Sequence, residues 1–193
     1  MVVPVRRRGA ELEGAIIDAA IEQLCEVGWK SLTMEGVAAG AHTGKAAVYR
    51  RWSSKADLVA DALEARLPPL LEASDTGSIR GDLVQLCRWM RDVMHSRSGE
   101  ALRSVLHECD STGVERFQGL IFNRLVRPSA EVFRLLVERG ITRGDVRADA
   151  RGEYVADVIP AMMMYRSKVC GSEWPNSDIE EFADQVLVPL LRG

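Results

Sequence analysis

The 193-residue chain lacks the features that define several large classes of protein. No stretch reaches the roughly 18 consecutive apolar residues that a membrane span needs. The arginines at positions 6–8 are followed by acidic residues and not by an apolar run, so we expect no secretory signal peptide. Only four cysteines occur, and none forms a CxxC pair. These absences predict a cytoplasmic protein with reduced thiols and no membrane partner.

The chain also lacks the motifs of the common enzyme classes. It contains no G-x-S-x-G, no P-loop, no HExxH and no GxGxxG after a strand. His107 and Asp110 are three residues apart on a predicted helix and could share one metal ion. Two ligands without a third nearby favour a surface histidine instead. We therefore expect no catalysis, no cofactor and no metal.

Charge of either sign is not in large excess, but it is unevenly distributed. The formal net charge is −3. Residues 1–57 carry eight Lys and Arg against seven Asp and Glu, which gives +1, whereas residues 58–193 carry 17 against 21, which gives −4. Any contact with nucleic acid is therefore expected in the N-terminal part of the chain.

Apolar residues recur at three- and four-residue spacing along most of the chain, and no segment alternates with a period of two. This pattern predicts an all-α protein of about nine or ten helices. Gly28 and Gly140 are expected to stop helices, and Pro160 is expected to bend one. The predicted helices span 11–27, 33–40, 43–52, 54–67, 79–95, 99–109, 114–125, 127–139, 151–169 and 178–191.

The second and third predicted helices form a helix-turn-helix. Thr33 is a suitable N-cap for the second helix, and Glu35 complements the dipole of its first turn. On the third helix Val48 and Trp52 share an apolar face, which should lie in the core. The opposite face carries small residues beside long cations, and residues 43–55 hold four cations and no acid. This arrangement suits a DNA groove, although a solvated surface helix would also explain it.

Three segments of the N-terminal third resemble the TetR (tetracycline-repressor) family of transcriptional regulators, in particular its actinobacterial members. They are residues 32–38 (LTMEGVA), 45–52 (KAAVYRRW) and 54–58 (SKADL), with looser similarity at 139–149, 159–160 and 165–166. The resemblance implies an all-α fold in which an N-terminal three-helix helix-turn-helix domain precedes a larger helical ligand-binding and dimerisation domain. We place these domains at residues 1–55, including the N-terminal arm, and 56–193.

Two residues of the turn depart from the family's usual pattern. His42 stands where Gly is usual, at a position that often needs a positive φ. Gly44 stands where Ser is usual, which removes a side-chain cap, and Thr43 is expected to cap the helix instead.

The resemblance and the helical wheel together assign DNA-binding roles. Contacts with phosphates are expected from Thr33, Tyr49 and Lys55, with Arg51 as a possible addition. Positions nearest the base edges are expected for Lys45, Ala46, Ala47 and Arg50, and Thr43 completes the DNA-binding set. The basic arm at residues 6–8 could also touch phosphates or the minor groove.

A second set of residues could line an effector pocket in the C-terminal region. Flexible methionines and flat aromatic rings suit an adaptable apolar pocket, although at helical spacing each could equally belong to the core. The candidates are Trp89, Met90, Met94, His95, His107, Phe117, Phe122, Met162 and Tyr165.

The family resemblance and these patterns together imply a homodimeric transcriptional repressor that binds double-stranded operator DNA. The operator would be near-palindromic, and a small, largely apolar effector would release the repressor, with His95 or His107 supplying one polar contact. A helix-turn-helix adaptor that acts through protein partners, or a small helical enzyme, is the alternative.

Overall fold

The computed structural model describes residues 9–69, 72–108 and 117–192. Over these residues the chain is helical and contains no strand, as the sequence predicts. Helical residues 117–121 lead into a π-helical turn at Phe122–Val126. A second π-helical turn, Ala183–Leu187, separates the last two helices. The helices are α1 (Ala10–Ser31), α2 (Met34–Gly40), α3 (Lys45–Tyr49), α4 (Lys55–Arg66), α5 (Ile79–His95), α6 (Arg97–Glu108), α7 (Arg127–Arg143), α8 (Glu153–Val169), α9 (Asn176–Phe182) and α10 (Val188–Arg192).

The chain divides into two compact units. Unit I contains residues 1–68 and 95–122, and unit II contains residues 69–94 and 123–193. In unit I, α1 packs against α2, α4 and α6. Its buried side chains include Ile16 and Leu24 of α1 and Leu58 and Leu63 of α4. The domain boundary predicted at residue 55 divides the chain by function, whereas units I and II are defined by contacts within the fold. The functional boundary stays a prediction.

Gly28 interrupts α1, close to where the sequence predicts the first helix to stop. Its backbone has φ 77° and ψ 173°, and the chain then makes one more helical turn to Ser31. A Cβ at this position would lie 2.5 and 2.9 Å from the two carboxylate oxygens of Glu108. Glycine is needed here for two reasons. Any other residue would be strained at this φ, and its Cβ would collide with Glu108.

A continuous apolar core holds unit II together. It includes Leu83 of α5, Leu136 of α7, Met163 of α8 and Trp174, whose indole N–H donates to the Met163 carbonyl at 3.1 Å. Burying these apolar surfaces is the main stabilising contribution. Pro160 lies inside α8, and the bend expected there stays a prediction.

One charged side chain is buried with this core. Asp82 accepts hydrogen bonds from the Arg143 guanidinium at 2.9 Å and from the backbone N–H and hydroxyl of Thr76, both at 2.8 Å. The side chain of Asp82 is fully buried. A carboxylate is tolerated there because an opposite charge and two further donors replace its hydration.

The prediction that Gly140 ends a helix is wrong. Helix α7 continues to Arg143, and Gly144, with φ 84°, supplies the left-handed residue that terminates it. Gly140 serves a different purpose, because a Cβ there would collide with the side chain of Val146. The close approach lets the N–H groups of Asp145 and Val146 donate to the Gly140 carbonyl at 2.9 and 3.2 Å.

Other predicted boundaries shift by a few residues. The sixth helix begins at Arg97 and not at residue 99, α8 begins at Glu153 and not at 151, and the last helical segment begins at Asn176 and not at 178. Three predictions concern residues outside the described part of the chain. They are the start of the predicted helix at 114–125, the end of the predicted helix at residue 109, and the basic arm at residues 6–8.

Candidate nucleic-acid interface

Helix α2 and the turn that follows it form as the sequence predicts. The Thr33 hydroxyl caps α2 by accepting from the Gly36 N–H at 3.0 Å. The turn is closed by hydrogen bonds from the His42 N–H to the Ala39 carbonyl at 3.0 Å and from the Thr43 N–H to the Ala38 carbonyl at 2.9 Å. His42 has φ 54°, which confirms the positive φ expected at this position.

Helix α3 is shorter than predicted. It spans Lys45–Tyr49, although the Arg50 and Trp52 N–H groups still donate to the carbonyls of Ala46 and Val48, at 3.2 and 3.1 Å. The N-cap residue is Gly44, and no side chain caps the helix. The predicted cap by Thr43 is therefore wrong. Gly44 adopts an extended backbone, so the turn ends one residue later than the pattern suggested.

The buried face of α3 is the predicted one. Val48 and Trp52 are both buried, and the Trp52 indole N–H donates to the Asp61 carboxylate of α4 at 2.8 Å. This bond and the apolar contacts fix the rotation of α3 about its axis. Lys45, Ala46, Tyr49 and Arg50 are exposed as a result, with Tyr49 exposed by 44%. Ala47 is buried, so it does not belong to the exposed face on which the helical wheel placed it.

The four cations predicted to meet DNA differ in their surroundings. The Lys45 ammonium pairs with Glu35 of α2 and lies 5.3 Å from the centroid of the Tyr49 ring. The Arg51 guanidinium donates to the Ala47 carbonyl at 3.0 Å. The Lys55 ammonium donates to the Trp29 carbonyl at 2.9 Å and lies 4.4 Å from the Trp29 ring centroid. Among the described residues, the Arg50 guanidinium has no ion-pair or hydrogen-bond partner.

The predicted DNA-binding residues thus fall into three groups. Exposed positions are occupied by Thr33, Lys45, Ala46, Tyr49 and Arg50. Thr43, Arg51 and Lys55 are half-buried, the last two with bonds to their own fold, and Ala47 is buried. The sequence did not reveal that Glu35 pairs with Lys45, because this contact across ten residues depends on the geometry of the turn.

The predicted effector residues are divided between the two units. In unit I, Phe117 is fully buried and meets the Trp29 ring edge-on, with ring centroids 5.4 Å apart, whereas His95, His107 and Phe122 are exposed. In unit II, Trp89, Met90, Met94 and Met162 are half-buried against the apolar core. Tyr165 of α8 is 55% exposed. Phe117 is therefore a core residue within unit I.

Two clefts lie in unit I, and neither is lined by a predicted effector residue. One includes Asp18, Glu22, Arg66 and Arg97, and the other includes Ala15, Gln23, Glu26 and His42. The charges of the first cleft are paired, and the hydrogen bond from Arg97 lowers the pKa of the Glu22 carboxyl. The location of an effector pocket stays a prediction.

Two further searches cover the part of the chain that the structure describes. No three His, Cys, Asp or Glu residues there are grouped so that they could hold a metal ion, and Asp110 of the weak His107 pair lies outside that part. No helix there is long and apolar enough to cross a membrane.

Two helices joined by a tight turn, with an apolar anchor on one side of α3 and exposed cations on the other, define a helix-turn-helix protein. Comparison with known families agrees. Residues 16–62 match the family described as bacterial regulatory proteins, tetR family, and residues 73–186 match the tetracyclin repressor-like C-terminal domain. The chain belongs to the TetR family of bacterial transcriptional regulators.

Individual relatives extend over nearly the whole chain. The DNA-binding transcriptional repressor TetR of Mycobacteroides abscessus is 31% identical over 189 residues, which is 96% of each protein. A TetR-family transcriptional regulator from Mesorhizobium loti has a similar fold, with a TM-score of 0.70 at 14% identity over 96% of this chain and 97% of that one. FadR from Bacillus subtilis, solved in complex with stearoyl-CoA, has a TM-score of 0.60 at 14% identity. The match covers 93% of this chain and 98% of that one.

Proposed function

We propose that this regulator is a repressor whose α3 enters the major groove of a near-palindromic operator. The observation that carries the proposal is the division of α3 into a buried side, Val48 and Trp52, and an exposed side with two cations and a tyrosine. Ala46 allows the helix to approach the bases closely. Lys45 and Arg50 would read base edges, and Thr33 and Tyr49 would contact phosphates and fix the register.

The regulator would bind its operator as a homodimer, with half-sites about one helical turn (roughly 34 Å) apart or a multiple of it. The support is the surface of α8, where Tyr154 is 83% and Val169 is 68% exposed, and Met164 and Tyr165 are also exposed. Four large apolar side chains on one helix are costly to leave in water. Pairing α8 with its counterpart in a second copy would cover them, and this assigns Tyr165 to the dimer seam in preference to the effector pocket.

A small, largely apolar effector would release the operator. The best-supported candidate contacts are Trp89, Met90, Met94 and Met162, because they are only half-buried against the core of unit II. FadR from Bacillus subtilis, which has a similar fold, was solved in complex with stearoyl-CoA, a ligand with a long apolar acyl chain. The effector must bind the DNA-free state more tightly than the DNA-bound state, since a ligand with equal affinity for both shifts nothing.

The experiment that tests this function selects tight binders from a pool of random duplexes. We expect a palindromic motif whose affinity falls steeply as salt increases. A Lys45→Ala variant should lose discrimination at one position of the motif, while a Lys55→Ala variant should weaken binding to all sequences alike. If no motif is recovered, and if binding is weak and the same in Lys45→Ala, the chain does not read an operator.

A further inference from the structure

The ion pair between Glu35 and Lys45 places an acid on the DNA-facing side of the helix-turn-helix. Glu35 lies in the first turn of α2, and Lys45 is the first residue of α3. Their side chains are 53% and 59% exposed. Each holds the other in its charged form, because their hydrogen bond lowers the pKa of the Glu35 carboxyl and raises that of the Lys45 ammonium.

The carboxylate lies among the residues that would meet the DNA backbone. Thr33, a predicted phosphate contact, is two residues before Glu35, and the ring of Tyr49 lies 5.3 Å from the Lys45 ammonium. A carboxylate in this position is repelled by phosphates. If this repulsion were the whole effect of the acid, losing it would raise affinity for every sequence alike. A role in specificity requires that the acid weaken binding to random DNA more than binding to the operator.

An ammonium has three N–H donors, so Lys45 can keep one bond to Glu35 while it donates to another acceptor. The charge of that second acceptor separates two kinds of complex. On an operator, α3 lies over the base edges, and Lys45 can donate to guanine O6 and N7 while keeping one bond to Glu35. On random DNA the protein is held by phosphates alone. There Lys45 can reach a phosphate only by leaving Glu35 or by carrying the carboxylate towards the phosphate.

From this geometry we propose that Glu35 is a specificity-determining residue, which withholds Lys45 from random DNA and raises the ratio of operator to nonspecific affinity. The proposal rests on the operator-binding function proposed above. Glu35 acts through Lys45 and not by a contact of its own, so its effect must disappear when Lys45 is absent.

The test compares Glu35→Gln with the wild type on two duplexes, the selected operator and a scrambled version of it, over a range of salt. Freeing Lys45 adds one phosphate contact on the scrambled duplex, so the slope of log K against log salt should steepen by about 0.9. That corresponds to a rise in nonspecific affinity of roughly fivefold to tenfold at about 0.1 M salt. Operator affinity should stay within about twofold, because there Lys45 is already engaged with bases.

Two controls isolate the cause. Glu131→Gln removes a carboxylate of comparable exposure, 63% against 53% for Glu35, which lies 4.0 Å from Arg127 in unit II, and it should leave both slopes unchanged. In a Lys45→Ala background, Glu35→Gln should no longer steepen the slope. Any of three results would overturn the proposal: an unchanged salt slope in Glu35→Gln, an equal gain of affinity on both duplexes, or a gain of affinity that persists without Lys45. Failure of the wild type to select any motif would instead refute the operator function itself, and the specificity role with it.

Discussion

Replacing Gly28 by alanine tests the geometry that joins α1 to the helix-turn-helix. Gly28 combines a positive φ of 77° with a ψ of 173°, a region that side chains strongly disfavour. The added methyl group would also lie 2.5–3.0 Å from the carboxylate of Glu108. Gly28→Ala must therefore bear backbone strain and displace a neighbouring side chain.

The two effects can be estimated separately. Backbone strain of this kind costs about 1–3 kcal/mol. Glu108 can move aside, but it then loses the hydrogen bond that its carboxylate accepts from the Lys30 N–H at 2.9 Å. Such a bond contributes about 0.5–1.5 kcal/mol. We expect Gly28→Ala to lower the free energy of unfolding by about 2–4 kcal/mol, and Tm by roughly 5–15 °C for a chain of this size.

Thermal and urea unfolding followed by circular dichroism measures this loss. Glu108→Ala alone should cost only the hydrogen bond, about 1 kcal/mol. Adding Gly28→Ala to that variant should then cost the backbone strain alone. Gly119→Ala is the matched control, because its new methyl group would meet no atom within 4 Å, and it should stabilise the helix by about 0.5–1 kcal/mol. Wild-type stability in Gly28→Ala would show that this backbone geometry is wrong.

Three further substitutions test other parts of the molecule. Tyr49→Ala should abolish operator binding and leave Tm unchanged, because this side chain is 44% exposed; wild-type affinity would remove Tyr49 from the interface. Asp82→Asn should cost about 1.5–3 kcal/mol in urea unfolding, since the hydrogen bonds of a charged carboxylate are weakened while Arg143 keeps its pairs with Asp75 and Asp145, and a loss below about 0.5 kcal/mol would show that the Asp82–Arg143 pair is dispensable. Val169→Asp should shift the protein towards monomers in sedimentation without lowering the stability of the protomer, and an unchanged dimer would place the seam elsewhere.

The features that the sequence predicts well depend on neighbours within one helical turn. Thr33 is predicted to be an N-cap, and its hydroxyl accepts from the N–H three residues later at 3.0 Å. Ser54 makes the same bond at the start of α4, at 3.1 Å. The apolar side of α3 was also predictable, because Val48 and Trp52 are one turn apart. In these cases the partner is fixed by local helix geometry, so spacing alone identifies it.

The features that the sequence did not predict depend on partners that only the fold brings near. Gly140 looks like a helix stop until Val146 is found beside it. Lys55 looks like a free cation, yet it contacts Trp29, which is 26 residues away. The candidate effector residues were chosen by residue type, and type carries no information about neighbours. For that reason Phe117 belongs to the core of unit I, whereas Met162 belongs to unit II.

Three of the four cations at residues 43–55 already have partners within the protein. Lys45 pairs with Glu35, Arg51 bonds to the Ala47 carbonyl, and Lys55 bonds to Trp29. Under the proposed function, each of them would give up or share a partner to hold a phosphate, so DNA binding would be an exchange of contacts and not a simple addition. The Glu35 carboxylate offsets one of the four positive charges of residues 43–55, so a charge of +4 overstates the attraction that random DNA would exert. In the proposed operator complex the loss would be smaller, because base edges are neutral acceptors that Lys45 could reach while it stays bonded to Glu35.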